Sequence, residues 1–258
     1  MYETIQYEMA GSVAKITLNR PQVANAINAQ MGNELYDAMK RVEAERKARA
    51  VVLTGAGKAF CAGQDLGEQD AISENLANAV RERYNVLISK MRSLQVPILA
   101  AVNGAAAGAG FGLALACDLR FASSTAKFTM AFSKIGLAPD SGTSYFLPRL
   151  VGVGKALEWA WTGEILSAET ALAHGVVNRV YDADALLSET MSFADQLAAG
   201  PTKSYALTKE AIYNNVADSL PNALEREAVL QDLAGRSHDF REGVQAFMEK
   251  RPPVYRGE

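Results

Sequence analysis

Histidine and cysteine are almost missing from this chain of 258 residues, which holds only His174, His238, Cys61 and Cys117. No C-x-x-C pair and no cluster of His with Cys can be drawn from them, so neither a metal site nor a Ser-His-Asp triad is easily built. An excess of positive charge is also missing. The formal net charge is −3, and basic residues occur only in short pieces such as Glu45-Arg46-Lys47, which argues against non-specific polyanion binding and sets the expectation of no nucleic-acid partner. Nowhere do eighteen apolar residues run together, and the start, Tyr2-Glu3-Thr4-Ile5, has no charged and then apolar leader. The expectation is a soluble, cytoplasmic protein with no membrane partner.

What is present is apolar content, 49% of residues, enough for one large core. Ile5, Tyr7, Val13, Lys15, Ile16 and Leu18 alternate loosely around Gly11-Ser12, which predicts an antiparallel hairpin. Asn28 is placed to cap a helix running to about Lys47, with Met31, Leu35, Met39 and Val42 on one face. A buried strand at Ala50-Val51-Val52-Leu53-Thr54 follows, and this strand-helix-strand order predicts parallel pairing. Gly55-Ala56-Gly57-Lys58 lacks the spacing of a phosphate loop. Ser73 is placed to cap a helix to about Leu94 that carries Leu76, Val80, Tyr84, Leu87, Ile88 and Met91.

The chain is organised around Pro97 to Asp118. Ile98 to Val102 reads as a buried strand and the residues from Gly108 as a tightly packed helix, with a turn of Gly and Ala between them. Two readings stand side by side. Small residues let a helix pack on a sheet, and they also bare backbone N–H groups at the positive end of a helix dipole, where negative charge can be held. Gly108, Gly110 and Gly112 fit no frame of G-x-G-x-x-G, so the dinucleotide fingerprint is excluded. The loop Ala59 to Leu66 leaves a strand end and should face the same crevice as the turn after Val102, or else serve as a plain connection.

Further on, Leu119 to Ala122 and Lys127 to Thr129 read as short strands. Asp140, in Pro139-Asp140-Ser141-Gly142, is either the cap of the next helix or a carboxylate held among Phe132, Ile135, Leu137 and Phe146, where its pKa would rise toward proton-transfer range. Helices are expected near 154–162, 168–174, 183–199, 202–215, 219–236 and 238–249, with a strand from Val176 to Tyr181. His174 reads as a solvated helix-end residue, His238 as a capping residue, and Trp159 and Trp161 as packing.

Three stretches then combine: Ala59-Phe60-Cys61-Ala62-Gly63-Gln64-Asp65-Leu66; Val102-Asn103-Gly104 through Gly112; and Ile135-Gly136-Leu137 through Leu147-Pro148-Arg149-Leu150. With Thr162-Gly163, Ala173-His174-Gly175-Val176-Val177 and Phe247-Met248-Glu249-Lys250-Arg251, their order and spacing resemble the crotonase, or enoyl-CoA hydratase/isomerase, superfamily over nearly the whole chain. The resemblance implies an α/β fold, a spiral of ββα turns over residues 1–198. A helical region over 199–258 would pack on neighbouring subunits in a homotrimer or dimer of trimers. It implies an acyl-CoA thioester substrate, with coenzyme A as part of that substrate and no other cofactor or metal. It places backbone N–H donors to the thioester oxygen at Gln64 and Ala109, with Gly110 adjacent. CoA contacts fall at Ala24, Ala26, Ala62, Gln64, Asp65 and Leu66. Phe247 and Lys250 would reach the nucleotide of a neighbouring subunit, although Lys250 reads equally as a solvated helix-end cation.

Family hydratases use two glutamates, and the matching positions here are Gly112 and Phe132. The one acid left is Asp140, where the family's isomerases carry aspartate. The stretch from Gly136 to Gly142, followed by Tyr145-Phe146-Leu147-Pro148-Arg149-Leu150-Val151-Gly152, looks most like the ring-epoxide and enoyl-CoA isomerases of phenylacetyl-CoA degradation. The expectation is an isomerase with Asp140 as proton shuttle and Phe132, Leu137 and Phe146 lining an acyl pocket. An enoyl-CoA hydratase with an unusual site, a hydrolytic aryl-CoA dehalogenase, an RNA-binding relative and an inactive relative are the alternatives. Family dehalogenases add a tryptophan near position 132 and a histidine near position 90, where this chain has Phe132 and Lys90.

Overall fold

The computed structural model describes residues 2–67 and 75–258. The chain begins with β1 (Ile5–Ala10) antiparallel to β2 (Val13–Leu18), turning at Gly11. Asn28 caps α1 (Ala29–Ala44), its side-chain oxygen accepting from the Met31 N–H at 2.9 Å. A ββα order then recurs. β3 (Ala50–Gly55) and β4 (Ala59–Cys61) precede α2 (Leu76–Ala79), a π-helical segment Val80–Asn85 and α3 (Val86–Ser93). β5 (Ile98–Val102) and β6 (Ala105–Ala107) precede α4 (Ala109–Ala116). β7 (Leu119–Ser123) and β8 (Lys127–Thr129) precede a 3-10 turn, Phe132–Ile135, and α5 (Thr143–Val151). The remainder is α6 (Val153–Thr162), β9 (Leu166–Ser167), α7 (Ala168–Ala173), β10 (Arg179–Tyr181) and α8 (Leu186–Ala199), then α9 (Thr202–Asn215), α10 (Leu220–Gly235) and α11 (His238–Glu249).

Each repeat sends its longer strand to one sheet and its shorter strand to another. The first sheet has the order β1-β2-β3-β5-β7-β10, parallel from β2 onward; the second is β4-β6-β8-β9, parallel except at β8 and β9. The chain changes sheet at Gly104, where a Cβ would lie 1.9 Å from the Lys58 carbonyl oxygen. Only glycine lets the two backbones pass so closely.

The first sheet is covered on both faces, so its strands read as continuous apolar runs. Val51 and Leu53 join the main core with Leu35, Met39, Phe60 and Phe111, while Ala50 and Val52 face the other way onto Leu186, Ala194 and Ala198 of α8. That is the period of two expected of a strand.

Several expectations need correcting. The strand foreseen from Val176 is only Arg179–Tyr181, because the Val176 carbonyl accepts from the buried Arg120 guanidinium at 2.6 Å instead of joining the ladder. Trp159 is buried, but Trp161 is 73% exposed, since residues two apart on a helix point to different sides. His174, as expected, is an exposed residue at a helix end, its ring edge-on to Trp159. Ser237, not His238, caps α11 by accepting from the Phe240 N–H. The Ser73 cap falls outside the described residues. No helix among the described residues is long and apolar enough to cross a membrane.

Candidate active site

Segments from three successive repeats meet at one cavity of 260 Å³: Ala62 to Leu66 after β4, Gly108 and Ala109 opening α4, and residues between Ala131 and Asp140. Leu76 of α2 with Val80, Arg83 and Tyr84 of the π-helical segment complete its wall. Packing of α4 brings the segments together. A Cβ on Gly110 would stand 2.2 Å from the Cys61 carbonyl oxygen, and one on Gly112 would stand 2.7 Å from the Ser141 Cβ. The small residues of α4 therefore let it press against β4 on one side and against the Asp140 turn on another.

Two backbone amides are left over by this arrangement. Gln64 pairs with Ile27 in a single parallel bridge: the Ile27 N–H donates to the Gly63 carbonyl at 2.7 Å, and the Asp65 N–H donates to the Ile27 carbonyl at 2.9 Å. The Gln64 N–H points the opposite way and meets no backbone acceptor among the described residues. Ala109 is the first residue of α4, so its amide lacks an intrahelical acceptor and lies at the positive end of the helix dipole. The loops are neighbours, because a Cβ on Gly63 would be 3.4 Å from the Ala109 nitrogen. Gly110 does not line the cavity; its place is against Cys61.

Asp140 lines the cavity and does not cap α5. The N-cap is Gly142, and the Asp140 carbonyl accepts from both the Thr143 N–H at 2.9 Å and the Thr143 hydroxyl at 2.6 Å. Its carboxylate accepts from the Ser141 hydroxyl at 2.8 Å. Burial raises the Asp140 pKa above the ordinary carboxylate value, and the Ser141 bond only partly offsets this. Among the described residues lining the cavity it is the sole carboxylate. The turn holding it is strained, with Ser141 buried at φ +53°, and Ala131 at the other end of the loop at φ +48°.

Phe132 and Leu137 line the cavity with Asp140, as expected, whereas Phe146 does not. Phe146 lies on the far face of α5, in a separate hollow of 580 Å³ with Arg92, Lys209 and Tyr213, its ring 5.1 Å from the Arg92 guanidinium carbon. Six residues beyond Asp140 and past the turn at Gly142, helix geometry has carried it around. Ala62, Gln64 and Leu66 line the cavity; Ala24, Ala26 and Asp65 flank it. The Ala62 N–H donates to the Ala24 carbonyl at 3.0 Å, and the Arg20 guanidinium binds both the Ala26 carbonyl at 2.7 Å and the Asp65 carboxylate at 2.8 Å. Phe247 and Lys250 lie on and just after α11, and in the single chain neither reaches the cavity.

Arg83 and Tyr84 were not picked out as site residues by sequence reasoning. The Tyr84 hydroxyl donates to the Gln64 Oε1 in a short hydrogen bond, and the Arg83 Nη1 donates to the same oxygen at 2.9 Å. A signal was available: Tyr84 interrupts an aliphatic helix face, and a buried phenol needs a partner.

The chain is similar to proteins of one family along nearly its whole length. The family model described as enoyl-CoA hydratase/isomerase matches residues 8–258. A Rhodobacter capsulatus protein named "Probable enoyl-CoA hydratase" is 48% identical over 99% of each chain. The 1,2-epoxyphenylacetyl-CoA isomerase of Escherichia coli is 41% identical over 100% of each chain. Among solved structures, the enoyl-CoA hydratase from Bacillus anthracis superposes with a TM-score of 0.95 at 35% identity, covering 99% of this chain and 100% of that one. Fold and site thus define a crotonase-type enzyme. The chain belongs to the enoyl-CoA hydratase/isomerase family.

Proposed function

We propose that this enzyme is an acyl-CoA isomerase in which Asp140 moves a proton between two carbons of the acyl group while the Gln64 and Ala109 amides hold the thioester oxygen. The supporting observation is that one carboxylate, and no second among the described residues, lines the cavity beside two unspent backbone donors. Breaking a C–H bond next to a thioester carbonyl leaves an electron pair that is delocalised onto the oxygen. Preorganised donors at that oxygen are worth about 10²- to 10³-fold each. Asp140, made more basic by burial, accepts the proton and returns it to another carbon, shifting a double bond or opening a ring epoxide with no atom gained or lost.

The name of the R. capsulatus relative favours water addition as a second reading. Against it, a side chain at position 112 would collide with Ser141, and position 132 is a buried phenylalanine, so the pair of acids used by family hydratases is missing. The strip through Ala24, Ala26, Ala62, Asp65 and Leu66 fits the pantetheine and adenine of coenzyme A. The exposed apolar residues of the 199–258 region, Leu220, Leu224 and Phe247 among them, fit packing on neighbouring subunits in a trimer or dimer of trimers, which would bring Phe247 and Lys250 to another chain's nucleotide. A panel of enoyl-CoA and epoxide-bearing acyl-CoA substrates, followed by mass and ultraviolet absorbance, tests the assignment. An absorbance change at constant mass is expected; a gain of one water as the main product would overturn it.

A further inference from the structure

Gln64 has two jobs in this cavity that sit on different atoms of the same residue. Its backbone amide is the proposed donor to the thioester oxygen, and its side-chain oxygen is gripped by Arg83 and Tyr84 of the cavity wall. Both lone pairs of that oxygen are used, one by the Tyr84 hydroxyl and one by the Arg83 guanidinium, while the side-chain nitrogen donates to the Asp65 carbonyl at 3.3 Å. Tyr84 is 4% exposed, and it presents the only hydroxyl among the described residues that line the cavity. It sits in the π-helical segment Val80–Asn85, from which the long Arg83 side chain and the Tyr84 ring both reach one acceptor.

The main chain at Gln64 gains from such a grip. Its loop is tied to the rest of the fold by the bridge to Ile27, by the Ala62 bond to the Ala24 carbonyl and by the Arg20–Asp65 ion pair, while Gly63 beside it adopts φ +96°. The Ile27 N–H holds this peptide by its Gly63 carbonyl, and the side-chain grip adds a second hold on residue 64; a donor aimed at a developing oxyanion loses its worth with small misorientation.

We propose that Tyr84 is a positioning residue for the oxyanion donor: its hydroxyl, through the Gln64 side chain, fixes the direction of the Gln64 backbone N–H. This rests on the reading of Gln64 and Ala109 as the donors to the thioester oxygen. Burial and the nearby Asp140 charge raise the Tyr84 pKa, so the phenol stays a neutral donor throughout the working pH range. The grip matters most when the oxygen carries full charge, so it belongs to the transition state more than to substrate binding.

The test uses Tyr84→Phe, which keeps the ring and the cavity wall and removes the hydroxyl alone. In the intact enzyme, kcat is expected to fall about ten- to hundredfold, with KM changed less than about threefold. Two CoA ligands separate positioning from packing. The enolate of 3-oxobutanoyl-CoA absorbs in the ultraviolet, so its fraction when bound reports the oxyanion site; a thioether analogue without the carbonyl reports the rest of the pocket. Tyr84→Phe is expected to lower the bound enolate fraction about tenfold and to leave thioether affinity unchanged. Gln64→Ala, which retains the backbone amide, should show the same loss, and the double variant no more than Gln64→Ala alone. Wild-type enolate formation in Tyr84→Phe, or an equal loss of thioether affinity, would overturn the inference while leaving the donor pair standing. Failure of the wild-type protein itself to favour the enolate would overturn both.

Discussion

Gly112, in the first turn of α4, lies directly against Ser141, the residue that follows Asp140: a Cβ on it would be 2.7 Å from the Ser141 Cβ and 2.8 Å from the Ser141 carbonyl oxygen. The central helix and the acidic turn are thus seated on each other with no space for a methyl group. Nothing in the turn can yield easily, because Ser141 is buried at a positive φ and Thr143 is bonded twice to the Asp140 carbonyl.

Gly112→Ala should therefore destabilise the protein. Helix propensity alone would favour alanine by about 1 kcal/mol, whereas overpacking a closed contact costs about 1–3 kcal/mol. A lowered urea midpoint at unchanged m-value is expected, with a lower kcat because the Asp140 turn is displaced. A raised midpoint would show that the contact relaxes freely.

Asp140→Asn should abolish turnover while raising stability at neutral pH. The pKa of this carboxyl is raised in the folded state, so the native protein binds the extra proton more tightly than the unfolded chain does. Stability contributed by the group is present below the unfolded carboxylate pKa and is lost as pH rises through the folded value. Asparagine carries no such penalty, so the variant's gain in Tm should be largest at pH 7 and should vanish below about pH 4, where both proteins are neutral at this site. Turnover by the wild-type enzyme should rise with pH through a pKa above the ordinary aspartate range. A variant with full activity on the best substrate would refute the shuttle.

Asp118, between α4 and β7, joins the core to the C-terminal helices. It accepts from the Ile98 N–H at 2.7 Å, from the Lys209 ammonium at 2.9 Å and from the Tyr213 hydroxyl. Asp118→Ala strands a largely buried ammonium and should cost about 3 kcal/mol. Lys209→Met should cost less, because Asp118 keeps two donors. The double variant should lose less than the sum of the single losses, as measured by denaturant unfolding.

Much of the scaffold was legible in residue order. The hairpin, the Asn28 cap, the two buried strands and the helix opening at Ala109 all follow from periodicity and small-residue placement. The close contacts at Gly110 and Gly112 bear out the packing reading of the glycine-alanine turn. Other features were hidden because a single position fitted several partners. Pro139-Asp140-Ser141-Gly142 suits a cap as well as a buried acid, and only the left-handed turn at Ser141 and Gly142 carries the carboxylate away from the helix end. Phe146 had the right polarity for the acyl pocket, yet helix geometry turned it toward Arg92.

Residue types, with the positions that the family resemblance singles out, gave the groups available for chemistry: an acid at position 140, none at 112 or 132, and almost no histidine or cysteine in the chain. Those facts bound the reaction because side-chain identity is local. The meeting of Gln64, Tyr84, Ala109 and Asp140 around one cavity belongs to the folded chain, since it depends on three repeats being stacked in register and on α4 seating against both β4 and the acidic turn. Periodicity records which face of an element is buried, but it does not say what that face meets; the backbone path settles that.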